Sequence, residues 1–290
     1  MGSQLGKMQN RMISPFAFHA PTEPTYGRNE EHLTYIHTIN NDRIAVSLAM
    51  HDGGVNPDWE PGKYGDRKQD VVVYCHGNAV DIGGCRDEIK SLSSKMNVNV
   101  FTFDYANYGR SEHTETTQKN IQDAVCAVYE HVTRHLGVPN NRIILMGKSL
   151  GTAPAVFLAA KDFMDDILGV VLISPLASGV RAIVPKAIVK SRMLEYLDSV
   201  FCPSLQIIQH IRVPVFIVHG KQDDIIPIQN AELLVAHLHP QAYYPPLYLH
   251  GQHNNLESNN PILFRDQMLA FIKSCKVRQQ ADADVRCLYD

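Results

Sequence analysis

The sequence predicts an α/β protein with a mostly parallel central sheet and helices on both faces. Three observations predict it. Short, nearly continuous apolar runs (71–75, 98–103, 142–146, 169–174 and 213–218) recur along the chain. Segments with apolar residues at helical spacing separate them, the pattern of strands buried on both faces and joined by helical crossovers. At 290 residues the chain is long enough for one large domain, and one is the better expectation than two small ones.

Each element has its own signal. Residues 1–30 carry Pro15, Pro21, Pro24 and Gly27 without periodicity and read as an irregular extension. From Leu33 to His51 two strand-like runs flank Asn40-Asn41-Asp42, a hairpin signal. A loop rich in Gly, Pro and Asp follows to Asp70. Beyond it the spacing predicts a strand over 71–75, a helix over 81–95, a strand over 98–103 and a long helix over 117–136. Next come a strand at 142–146, a helix at 150–163 and a strand at 169–174. A strand at 213–218, a helix at 228–238, a short strand at 247–250 and a helix at 261–275 close the domain, 31–275. Residues 276–290 read as a polar tail. Residues 179–212 interrupt the rhythm with two amphipathic pieces, 182–190 and 194–200. An insertion after a strand's carboxyl end would lie where open α/β sheets bind ligands, so it reads as a small cap.

Composition removes several function classes. A net charge of −3 offers no electrostatic reason for a nucleic-acid partner. No apolar run approaches the length of a membrane span. Lys7 and Arg11 stand near the start without the apolar stretch of a secretory signal. Cys75, Cys85, Cys126, Cys202, Cys275 and Cys287 form no Cys-x-x-Cys pair, and Cys75 and Cys126 fall where buried thiols belong. That pattern argues against a zinc site or disulfide framework and for a reducing, cytoplasmic setting. Gly2 permits myristoylation, although Gly6 stands where Ser or Thr is preferred. One acyl chain would give only weak, peripheral membrane association. Cys287-Leu288-Tyr289-Asp290 has a prenylation outline with the wrong last residue, and a disordered polar tail is the better reading.

The chemistry begins at Gly147-Lys148-Ser149-Leu150-Gly151, placed between an apolar strand and Thr152-Ala153-Pro154-Ala155, which reads as a helix start. Gly-Lys-Ser also ends a phosphate-binding loop, but that motif needs a glycine at 142, which is Arg. What remains is a serine on a sharp strand-to-helix turn, its hydroxyl raised above the sheet and its glycines required by close neighbours. Ser149 is the candidate nucleophile. A serine hydroxyl needs a base, and on this architecture an acid and then a histidine follow at the ends of later strands. The run 215–220 leads into Lys221-Gln222-Asp223-Asp224, and 247–250 leads into Gly251-Gln252-His253. Asp223 would hold the His253 imidazole, which would take and return the Ser149 proton. Asp224 is the alternative acid, with a helix-dipole role as its plainer reading. His250 is the alternative base, with packing within the strand as its plainer reading. Backbone N–H groups of Asn78, in His76-Gly77-Asn78-Ala79, and of Leu150 are the oxyanion donors expected. His76 itself reads as structural, and Lys148 as a solvated side chain with a second possible role favouring acidic substrates.

Together, His76-Gly77-Asn78-Ala79-Val80-Asp81, Phe103-Asp104-Tyr105-Ala106-Asn107-Tyr108-Gly109-Arg110-Ser111, Gly147-Lys148-Ser149-Leu150-Gly151-Thr152, Ser174-Pro175-Leu176-Ala177-Ser178-Gly179, His219-Gly220-Lys221-Gln222-Asp223 and Gly251-Gln252-His253-Asn254 resemble the α/β-hydrolase superfamily. More narrowly they resemble its protein-depalmitoylase subfamily, over roughly 70–275. The resemblance implies the α/β-hydrolase fold and a serine thioesterase that removes palmitate from cysteines. Animal members carry an N-terminal cysteine cluster, whereas the first cysteine here is Cys75. Gln252 replaces the usual glycine before the histidine, and Asn255 an acidic residue; Asp104 and Tyr105 match a structural turn.

The expectation is therefore a serine hydrolase that cleaves an ester or thioester through an acyl-enzyme, without metal or organic cofactor. Its partners would be an acylated protein or a small acyl ester or thioester, and no nucleic acid. A peptidase or small-molecule carboxylesterase would use the same machinery. A non-catalytic scaffold is disfavoured because every required residue type is present.

Overall fold

The computed structural model describes residues 17–29, 32–50, 69–113, 115–183, 198–199 and 201–287. Within them the chain folds as an eight-stranded sheet in the order β1-β2-β4-β3-β5-β6-β7-β8. The strands are β1 (Leu33–His37), β2 (Arg43–Ala49), β3 (Val71–Cys75), β4 (Asn99–Phe103), β5 (Ile143–Lys148), β6 (Gly169–Ile173), β7 (Val215–Gly220) and β8 (Leu247–Leu249). β1, β2 and β4 pair antiparallel, and every pairing from β4 through β3 and β5 to β8 is parallel. The helices are α1 (Arg86–Met96), α2 (Gln118–Glu130), α3 (Thr152–Ala159), α4 (Gly179–Ile183), α5 (Ser204–Ile207), α6 (Gln229–His237), α7 (Leu256–Asn259) and α8 (Pro261–Cys287).

Strand alternation builds two cores from one sheet. Val71, Val73, Leu145, Leu172 and Ile217 face α2, α3 and α6, whereas Val72, Met146, Val171 and Phe216 face α1 and α8. All five residues of β3, β4 and β6 are buried, as their unbroken apolar sequences require. The sheet's parallel strands thus end together at one edge, where the loops carrying Asn78, Ser149, Asp223 and His253 emerge.

Local chemistry sets the boundaries. The Asn40-Asn41 turn is closed by Thr38 N–H to Asp42 O at 2.9 Å, with Asn41 at φ 65°. Thr117 opens α2 with reciprocal bonds, Asn120 N–H to Thr117 Oγ1 at 3.2 Å and Thr117 N–H to Asn120 Oδ1 at 2.7 Å. The expected helix over 81–95 starts later, at Arg86. Asp81 spends its carboxylate on the Thr25 N–H at 2.7 Å and the Gly84 N–H at 2.9 Å, which holds a turn instead. The last helix does not stop near Cys275 but runs to Cys287. Its polar extension is held by the Arg278–Asp282 pair, by Gln280 donating to Asp284, and by Arg278 donating to the Gln241 and Arg212 carbonyls. Cys126, expected in the core, is only partly buried.

The described part of the N-terminal stretch, residues 17–29, is anchored. Ala17, Phe18 and Tyr26 are buried, and the Tyr26 hydroxyl donates to the Asp104 carboxylate. Arg110 Nη2 donates to the Tyr26 carbonyl at 2.8 Å. Of the segment 179–212, residues 184–197 and 200 lie outside the described residues. Its two ends meet: Gly179 N–H donates to Phe201 O at 3.0 Å, Arg181 pairs with Asp198 at 2.7 Å, and Phe18 packs edge-on against Phe201.

Asp104 supplies a test of this packing. Burial raises its carboxyl from 3.8 to about 7, against hydrogen bonds from Tyr26, Ile82 and Arg110 that lower it. The folded chain keeps this proton to a higher pH than the unfolded chain. The group's stabilising contribution is therefore full below about pH 4 and is lost as the pH rises through about 7. Asp104→Asn removes that dependence. Urea midpoints of the variant, relative to the unchanged protein, are expected to rise between about pH 5 and pH 8; a constant difference would show that Asp104 is ionised throughout.

Candidate active site

β5 runs straight into the turn that carries Ser149. The serine has φ 52°, in the left-handed region that side-chain-bearing residues adopt at an energetic cost. The Thr152 hydroxyl holds the turn by donating to the Ser149 carbonyl at 2.6 Å. Both flanking glycines are sterically required. A Cβ on Gly147 would lie 2.3 Å from the Gly151 carbonyl oxygen, and one on Gly151 would lie 2.0 Å from the Cys75 oxygen. Ser149 itself is partly exposed.

Asp223 and His253 come together although thirty positions separate them. His253 Nδ1 lies 2.8 Å from Asp223 Oδ2. The other carboxylate oxygen accepts the N–H groups of Ile226 at 2.7 Å and Ile225 at 3.0 Å. Burial would raise the Asp223 carboxyl, but hydrogen bonds from His219, His253 and the Ile226 N–H outweigh it and hold it well below the usual carboxylate range. The His253 loop is tied down from both sides. Gly251 N–H donates to Gln222 Oε1 at 2.8 Å, and Gln252 N–H to Asn255 Oδ1 at 2.7 Å.

The alternatives stand apart. Asp224 is exposed. His250 is exposed too, rather than packed, because β8 ends one residue earlier at Leu249.

The loop carrying Asn78 also adjoins Ser149. A Cβ on Gly77 would touch the Ser149 Cβ at 3.7 Å, so this loop lies directly beside the serine. The Asn78 side chain is a hub. Its Oδ1 accepts from the Tyr108 hydroxyl at 2.6 Å and the His19 N–H at 2.9 Å, and its Nδ2 donates to the Ala17 carbonyl at 2.8 Å. Among the described residues the Asn78 N–H makes no hydrogen bond. Leu150, the other expected donor, follows Ser149 in the tight turn. His76 is wholly buried with Nδ1 2.8 Å from the Gly77 oxygen, and burial lowers its pKa to about 4. It is a structural residue beneath the loop, as the sequence indicates.

Lys148 departs from its expected solvated state. Its Nζ lies 2.9 Å from each oxygen of Glu88, which also accepts from the Tyr74 hydroxyl at 3.1 Å. The lysine's charge is thus matched by a carboxylate on α1. Beside this pair a cleft of about 300 Å³ reaches His253 and ends at the Lys95–Glu257 pair. A narrower apolar slot, lined by Leu150, Ala153, Phe157 and Ile207, flanks Ser149's neighbour on the opposite face. Among the described residues no group of three or more His, Cys, Asp or Glu is placed to hold a metal ion. No described helix is long and apolar enough to cross a membrane.

Two residues at the site were not anticipated from sequence. Glu88 reads as one of several acidic residues on an amphipathic helix, and only the packing of that helix against the sheet brings it to Lys148. His219 lies within the apolar strand β7, fully buried, with Nε2 2.9 Å from the Ile226 carbonyl oxygen and 3.3 Å from Asp223 Oδ2.

Comparison with known proteins agrees with this architecture. A family model described as alpha/beta hydrolase fold matches residues 70–201. The α/β-hydrolase domain-containing protein aho-3 of Caenorhabditis elegans is 30% identical over 73% of this chain and 60% of its own length. The α/β-hydrolase domain-containing proteins 17C of Mus musculus and 17B of Homo sapiens are each 33% identical over 64% of this chain, covering 55% and 61% of their own lengths. The chain therefore spans roughly three-fifths of the relatives it matches. Among solved structures, an esterase of Pyrococcus furiosus superposes with a TM-score of 0.64 at 18% identity, over 88% of this chain and 99% of its own. The ferulic-acid complex of Est1E from Butyrivibrio proteoclasticus gives 0.60 at 16% identity, over 84% and 99%. The chain has the α/β-hydrolase fold and resembles the α/β-hydrolase-domain proteins.

Proposed function

We propose that this α/β-hydrolase-fold chain is a serine hydrolase that cleaves acyl esters or thioesters through an acyl-enzyme on Ser149. The observation that carries the reading is the Asp223–His253 hydrogen bond at the ends of β7 and β8, on the same sheet edge as a serine held in left-handed backbone geometry at the end of β5.

The chemistry runs from these groups. His253 takes the Ser149 proton as Oγ attacks the acyl carbon, and Asp223 holds the imidazole with Nδ1–H towards itself. The Asn78 and Leu150 N–H groups face the developing oxyanion, each worth about 3 kcal/mol in the transition state. His253 then protonates the departing sulfur or oxygen. Water repeats the sequence on the acyl-enzyme and releases the acid. Asp223, saturated with hydrogen bonds, stays ionised throughout.

The acyl-protein thioesterase reading rests on the sequence resemblance. The substrate is then an acylated protein, met at a membrane surface to which the chain binds weakly and peripherally. Gly2, the residue that would carry an acyl anchor, lies outside the described residues.

A substrate panel tests this function. Acyl thioesters of increasing chain length, matching oxygen esters and aminoacyl arylamides are compared by kcat/KM. The thioesters are expected to be preferred by at least about tenfold, a difference of about 1.4 kcal/mol in transition-state binding. Preference for the arylamides would replace the reading with a peptidase, and preference for short oxygen esters with a carboxylesterase.

A further inference from the structure

The buried His219 is not used by the reaction just described, yet it touches the reaction's acid. Its ring is wholly inside the protein. Nε2 lies 2.9 Å from the Ile226 carbonyl oxygen and 3.3 Å from Asp223 Oδ2. A carbonyl oxygen can only accept, so Nε2 must carry the proton. The same N–H donates to the Ile226 carbonyl and lies close to the carboxylate oxygen that accepts from His253. The opposite ring nitrogen, Nδ1, is buried and has no hydrogen-bond partner among the described residues. A buried acceptor left unpaired destabilises the fold, and an apolar side chain would fill this strand position without that cost.

Ile226 completes the device. Its N–H donates to Asp223 Oδ1 at 2.7 Å while its carbonyl accepts from His219. The imidazole thus braces both the carboxylate and the turn that presents it. One Asp223 oxygen is fixed by two backbone donors, and the other lies between two histidines, His219 below and His253 above.

We propose that His219 is a positioning residue for Asp223: its Nε2–H, held by the Ile226 carbonyl, sets the plane of the carboxylate so that Oδ2 points at His253 Nδ1. The inference rests on the serine-hydrolase reading, in which Asp223 is the acid. His219 itself touches neither substrate nor reacting atom. It acts by restricting the Asp223 side chain, and misplacing a catalytic group by an ångström costs up to about 10²-fold in rate.

Three variants separate positioning from packing. Gln places an amide N–H near the Nε2 position, Asn places one near Nδ1, and Met supplies similar bulk without a donor. His219→Gln is expected to keep kcat within about threefold. His219→Asn and His219→Met are expected to lose between about 10- and 100-fold in kcat, with KM within about twofold because no substrate contact is removed. The low-field proton resonance of the His253–Asp223 hydrogen bond should persist in the Gln variant and shift or broaden in the other two. Thermal melts of all three establish that each is folded; should Met fail to fold, the Gln–Asn contrast still decides. Equal activity in the Gln, Asn and Met variants, or a Gln variant as impaired as Asn with an altered resonance, would overturn the proposal. Failure of the underlying reading looks different: full activity in Ser149→Ala would remove the triad whatever the His219 variants do.

Discussion

Ser149→Ala is expected to lower kcat by about 10⁶-fold, the loss typical when the nucleophile of a triad is removed. The size follows from what the alanine deletes. Without Oγ no acyl-enzyme forms, and His253 and Asp223 are left with no hydroxyl to activate. The residual rate would come from the Asn78 and Leu150 donors and from substrate binding. KM should move little, because Ser149 contributes reaction rather than binding. The fold should tolerate the change. Ser149 is partly exposed, its hydroxyl makes no hydrogen bond among the described residues, and the turn is held by Thr152 and by the close approach of Gly147 and Gly151. Steady-state and single-turnover kinetics on the preferred thioester, with a thermal melt as control, measure both statements. A loss of less than about tenfold would exclude Ser149 as the nucleophile.

Asp223→Asn is the second large effect, about 10⁴-fold in kcat. An amide placed at the carboxylate position can turn its NH₂ towards His253 and favour the wrong imidazole tautomer. It also removes the negative charge that stabilises the imidazolium. Asp224→Asn serves as the internal comparison. Asp224 is exposed and lacks the backbone donors that fill Asp223, so its loss is expected to change kcat by less than about twofold. The pH–rate profiles of the two variants, taken with kcat, distinguish the acids. If the Asp224 variant were the impaired one, the assignment of the acid would move by one residue.

The parts of this site that can be read from sequence are those imposed by local sterics. A strand, a Gly-x-Ser-x-Gly turn and a helix state their geometry within a dozen residues, and the lack of room for a Cβ at Gly147 or Gly151 is that requirement made explicit. The order Ser149, Asp223, His253 is readable because each follows an apolar strand of a parallel sheet. The Lys148–Glu88 pair is not, since its partners are sixty positions apart and meet only through the packing of a helix on the sheet. Exposure is the usual state of a lysine, and here the partly exposed carboxylate of Glu88 draws it in. The anchoring of Ala17 and His19 on Asn78 leaves no periodic trace either, because it consists of single hydrogen bonds from irregular chain. The extension of α8 past Cys275 rests on exposed polar pairs that carry no hydrophobic pattern. His250 shows the limit of a boundary: one residue's difference in where β8 ends exchanges a packed side chain for a solvated one. His219 reads as one more member of a buried strand, and only its distances to Ile226 and Asp223 reveal a different use.

The proposed function makes Ser149 an activated nucleophile. Its most direct measurement is reaction of the folded protein with a fluorophosphonate, followed by intact mass and peptide mapping. A single adduct on Ser149 is expected, absent in Ser149→Ala and strongly slowed in Asp223→Asn. An unlabelled protein, or an adduct on another residue that persists in Ser149→Ala, would contradict it.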